Sequence, residues 1–104
     1  MGRRERLEKL VDRVVAEKRL WTLYYPRTNP HVDRIVELAV KLRVPAREDC
    51  IANFIAAYMV VKGLMPPSLA DRAIASSAKG RRHWQKKLAQ LDPPLTSKRY
   101  SRIG

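Results

Sequence analysis

Residues 50–61 carry no charged side chain, and Asn53 and Tyr58 are their only polar ones. A helix that is apolar nearly all round must be enclosed by other parts of its own chain or by lipid. Lipid is excluded by length, because a span needs about 18 or more consecutive apolar residues. Pro45 ahead of the segment and Gly63 behind it bound one helix, from about Ala46, with Glu48 and Asp49 in a first turn where acids complement the helix dipole. The rest of the chain therefore has to wrap amphipathic elements around this helix, and 104 residues supply one domain to do so.

The flanking segments have the required pattern. Leu7, Leu10, Val11 and Val14 recur at helical spacing within residues 3–20, with Trp21 continuing the stripe. Arg4 and Glu8, Glu5 and Lys9, and Arg13 and Glu17 stand four apart, as on a solvated face of mixed sign. Asn29-Pro30 is a helix start, Val32, Ile35, Val36, Ala39 and Leu42 form the next stripe, and Val44-Pro45 ends it. Ser68 and Asp71 form a capping-box-like pair after Pro66-Pro67, predicting a fourth helix that pauses at Gly80, continues to Leu91 and stops at Asp92-Pro93-Pro94. Residues 20–25 are aromatic-rich and read either as a short strand or as an extended linker whose Trp21, Leu23 and Tyr25 plug the core. The expected fold is mainly α: a bundle of four to five helices over residues 1–94 and an extended basic arm over 95–104.

Charge sets the functional expectation. The chain has 22 Lys+Arg against 10 Asp+Glu, a net charge of +12. The excess is uneven, since residues 67–104 hold nine of the cations and two of the acids. On a helix over 79–91, Trp84, Leu88 and Leu91 fall in one narrow stripe, and Lys79, Arg82, His83, Lys86, Lys87 and Gln90 face the other way. No acid relieves these cations, whereas a phosphate backbone would do so by counterion release. In the arm, Thr96, Ser97, Lys98, Arg99, Tyr100, Ser101 and Arg102 alternate hydroxyls and cations about one ring, suited to phosphate contacts and base stacking. Fourteen of the cations are Arg, which forks onto phosphates and stacks on bases. The expected nucleic-acid-binding residues are Lys79, Arg81, Arg82, His83, Lys86, Lys87, Lys98, Arg99, Tyr100 and Arg102, with Arg3 and Arg4 as a minor N-terminal contact.

Residues 33–63 also resemble the two helices of ribbon-helix-helix DNA-binding proteins, through Glu37-Leu38-Ala39, Leu42, Val44, Cys50-Ile51, Ile55 and Tyr58-Met59. The resemblance implies a homodimer whose paired strands enter the major groove of DNA, with residues 20–25 as the candidate strand. Arg43 stands where the turn of that family carries Gly.

Catalysis is not expected. His31 and His83 have no ligand-spaced partners, Cys50 is a single cysteine in an apolar run, and no Gly-rich phosphate loop or nucleophile elbow is present. The sequence thus reads as a cytoplasmic protein without cofactor, metal or membrane partner. RNA is favoured over DNA as its ligand, in a ribonucleoprotein with other proteins of a large assembly such as the ribosome. The alternative is a protein that binds double-stranded DNA as a ribbon-helix-helix-like dimer or as a coat.

Overall fold

In a computed structural model, residues 2–19 and 30–91 are described. They form five helices and no strand: α1 (Arg3–Glu17), α2 (Pro30–Lys41), α3 (Glu48–Val61), α4 (Pro67–Ala73) and α5 (Ala78–Ala89). The proposed strand at 20–25, with Trp21, Leu23 and Tyr25, lies outside the described residues, as do the stop at 92–94 and the arm at 95–104.

The all-round apolar segment is the axle of the fold. Every residue from Ile51 to Met59 on α3 is buried. α5 packs against it most extensively, and α1, α4 and α2 take the remaining sides. α1 contributes Leu7, Val11, Val14 and Val15, and α2 contributes Ile35, Val36, Leu38 and Ala39, to the one core cluster of the described residues. Each large aliphatic or aromatic side chain so enclosed contributes about 1.5–3 kcal/mol relative to exposure.

Two α-helix ends have the same local form. After α2, Arg43 adopts φ 57° and its N–H donates to the Val40 carbonyl, while Val44 N–H donates to Ala39. After α3, Gly63 adopts φ 73°, with matching bonds from Gly63 to Val60 and from Leu64 to Met59. Both are Schellman stops, which turn the chain sharply through one left-handed residue. Arg43 therefore takes the backbone conformation for which a turn normally selects glycine.

The fourth predicted helix is two helices. Ser68 does not cap α4, whose N-cap is Pro66. The break falls at residues 74–77, upstream of Gly80, and Ser77 caps α5 by accepting a bond from Gly80 N–H at 3.0 Å. The cause is tertiary. The buried Asn53 carboxamide oxygen of α3 accepts from Ser76 N–H at 2.9 Å, Ser76 Oγ at 3.2 Å and Ser77 N–H at 3.1 Å. These bonds draw the 76–77 backbone onto α3 and restart the helix there. Gly80 lies inside α5 because a Cβ at that position would overlap the Asn53 side chain, 2.8 Å from its Cγ.

The paired charges on α1 also differ from simple helical spacing. Arg13 reaches Glu48 of α3, at 3.9 Å. Glu17 is bonded to the same Glu48, and this shared contact raises its carboxyl above the ordinary range. At the other end of α1, Arg3 Nη2 donates to the Val44 carbonyl at 2.7 Å and ties the N-terminal turn to the α2–α3 turn.

Candidate nucleic-acid interface

The α5 helix divides cleanly by side-chain environment. Arg81 and Leu88 are buried, and Trp84 and Gln85 are half-buried between them. These positions follow i, i+3, i+4, i+7 and define the inner face. Trp84 meets the Phe54 ring edge-on, with centroids 5.6 Å apart. The outer positions Lys79, Arg82, His83, Lys86 and Lys87 are all exposed. Lys79, Arg82, His83 and Lys86 line one shallow surface groove, and the His83 ring stands edge-on to Trp84 at 4.8 Å.

Arg81 is set apart from this group. It is 5% exposed, and its guanidinium grips Asp71 of α4 through Nε–Oδ1 at 2.5 Å and Nη2–Oδ2 at 3.2 Å. Its third nitrogen, Nη1, donates to Gln85 Oε1. The side chain is committed to joining α4 to α5 and is not available to a ligand. The sequence held the signal, since Arg81 precedes Leu88 by seven residues and so shares its stripe. Asp71, expected to cap α4, is the carboxylate that Arg81 uses.

The outer cations have no such relief. None of Lys79, Arg82, Lys86 and Lys87 makes an ion pair among the described residues, and no acid occurs between Asp71 and Leu91. Lys86 and Lys87 stand in the last helical turn, where they complement the dipole; Lys79, in the first turn, opposes it. Like charges three and four apart on a helix are mutually destabilising by some tenths of a kcal/mol. The dipole thus accounts for Lys86 and Lys87 but not for the crowding of like charges along the row, which a polyanion lying there would offset.

The N-terminal cations lie elsewhere. Arg3 is engaged with Val44, and Arg4 borders a groove between α1 and α2 that also contains Arg34, Glu37 and Lys41, with Leu91 at its edge. Lys41 was not singled out from the sequence, because only the packing of α1 on α2 brings it beside Arg4. A second groove between the same helices is acidic, with Glu5, Glu8, Asp12 and Asp33 around Lys9. Burial, with Glu8 and Asp33 nearby, holds the Asp12 carboxyl above its ordinary range. Lys98, Arg99, Tyr100 and Arg102 lie outside the described residues.

Among the described residues, no helix is long and apolar enough to cross a membrane. None of their His, Cys, Asp and Glu side chains gather in threes that could hold a metal ion. His31 instead meets Tyr58, Nδ1 to hydroxyl 2.6 Å, across the α2–α3 contact. By architecture the described residues form an all-helical bundle with one outward cationic helix. Compared with protein-family models, curated proteins and solved structures, the chain gives no match.

Proposed function

We propose that the protein binds nucleic acid without catalysis, laying the outer face of α5 along a phosphate backbone. RNA is the favoured ligand, and the role is that of a structural subunit of a ribonucleoprotein such as the ribosome, in the cytoplasm. The observation that carries this reading is the row Lys79, Arg82, His83, Lys86 and Lys87, exposed on one helix without an acid to balance it. The rigid helix holds the backbone of the four unpaired cations in register, so docking to phosphates has only their side chains to order. The arginine-rich arm after residue 94 would extend the contact, with Tyr100 available to stack on an unpaired base.

The test is binding of the full chain to structured RNA and to duplex DNA at matched salt. Replacing Arg82, Lys86 and Lys87 together by Ala should reduce the slope of log affinity against log salt by roughly 2–2.7, at about 0.7–0.9 per phosphate contact. An unchanged slope overturns the reading. Tighter binding to duplex DNA by a stable homodimer would transfer the role to the DNA-binding alternative.

A further inference from the structure

We infer that the groove between α1 and α2 bearing Arg4 and Lys41 is a second phosphate-backbone site, used by the same nucleic acid as it leaves the C-terminal end of α5. The inference rests on the nucleic-acid reading of α5 and extends it to another pair of helices.

Three observations carry it. First, the groove is cationic after its internal pairing is counted. Arg34 holds Glu37 at 2.8 Å, so the one carboxylate present is satisfied. Arg4 and Lys41 remain exposed and without an ion pair among the described residues. Second, the groove adjoins the end of α5, because Leu91, two residues beyond that helix, lies at its edge beside Arg4 and Lys41. The 12 residues of α5 span about 18 Å, or roughly five base-pair steps of a duplex axis at 3.4 Å each. A longer strand has to pass beyond Leu91, and the unpaired cations stand there.

Third, the alternative path across these helices is closed electrostatically. The other α1–α2 groove presents Glu5, Glu8, Asp12 and Asp33 against Lys9. A phosphate backbone is repelled from that side and attracted to the Arg4–Lys41 side, so the two grooves together select its direction. The apolar floor given by Leu38 and Val40 lets the stems of Arg4 and Lys41 lie against the protein while their heads face the ligand.

The experiment measures the salt dependence of binding of the full chain to one long RNA duplex. It uses R4A/K41A, the charge-matched control K18A/R19A, and the α5 variant R82A/K86A. All six side chains are exposed, and circular dichroism verifies that helicity is retained. R4Q/K41Q repeats the measurement with longer polar side chains. The expected result is that R4A/K41A lowers the slope by about 1.4–1.8, a roughly tenfold smaller affinity loss over a fourfold rise in salt, while the control stays near wild type. Equal slopes for R4A/K41A and K18A/R19A overturn the groove site. A slope lowered by R4A/K41A but not by R82A/K86A supports the groove and removes α5 from the interface. Slopes unchanged in every variant remove both.

Discussion

Arg81 and Asp71 form a two-pronged ion pair between α5 and α4, with the arginine side chain 6% and the aspartate side chain 28% exposed. A buried guanidinium deprived of its carboxylate retains its desolvation penalty and loses the compensating attraction. D71A should therefore destabilise the protein by about 3 kcal/mol, the lower end for a broken buried pair because Asp71 is partly wet. The double variant D71L/R81M should recover most of that loss. Urea unfolding measures both, and a D71A variant as stable as wild type would show that the pair contributes nothing.

Arg81 and Arg82 are neighbours in sequence with opposite assignments. R81M should leave the salt slope of RNA binding unchanged per folded molecule, whereas R82A should lower it by about 0.7–0.9. Equal effects of the two substitutions would contradict the division of α5 into inner and outer faces.

Gly80 inverts the usual helix rule. Replacing an interior helical glycine by Ala normally stabilises by about 0.5–1 kcal/mol. Here the added Cβ meets the Asn53 side chain, which is itself held by Ser76 and Ser77. G80A should destabilise by roughly 1–3 kcal/mol, the range for overpacking. Thermal unfolding gives the sign directly, and a gain in stability would mean that the Asn53 contact yields easily.

Arg43 offers the reverse case. Its φ of 57° crowds Cβ against the following carbonyl, a backbone penalty of about 1–2 kcal/mol at the α2 stop. Glycine removes that penalty but adds about 0.5–1 kcal/mol of chain entropy to be lost on folding. R43G should raise stability by about 0.5–1 kcal/mol, read as a higher urea midpoint at unchanged m-value.

The His31–Tyr58 contact gives a pH dependence. Burial, followed by the nearby Lys62 charge, lowers the His31 pKa below 6.5, and burial pushes the Tyr58 hydroxyl up to about 12. The folded protein thus binds fewer protons at His31 than the unfolded chain does. Stability is complete above the unfolded value of 6.5 and declines as pH falls through it toward the folded value. Asp12 acts oppositely and lower on the scale. Its raised carboxyl contributes stability that is complete below the ordinary 3.8 and is lost as pH rises through the higher folded value. H31N should flatten the decline in unfolding free energy between about pH 7 and 5; a decline unaltered in H31N would assign it to other groups.

Where a residue's role is local, the sequence reveals it. The stripes of α1 and α2, the all-apolar α3, Pro45 and Gly63 each act through backbone preference or helical period, and the corresponding helices lie close to where those signals put them. Ser68 lies inside α4 because Pro66-Pro67 start that helix ahead of it, whereas the local chemistry of Gly80 is overridden by a contact across the fold. A glycine inside a helical pattern reads as a pause, yet Gly80 is required by Asn53, 27 positions earlier in the numbering. The same distinction applies to the interface. The outer row of α5 is visible in one segment, while the adjacency of Lys41 to Arg4 exists only after α1 has packed on α2.

The partition of α5 also bears on how such a protein can change. The demands of folding rest on Ser77, Gly80, Arg81, Trp84 and Leu88, each tied to the body by a cap, a close approach, an ion pair or a core contact. Lys79, Arg82, Lys86 and Lys87 make no such cap, ion pair or core contact among the described residues. Affinity can therefore be tuned up or down by successive single substitutions along the outer row, without each step having to be rescued by a compensating change in the core.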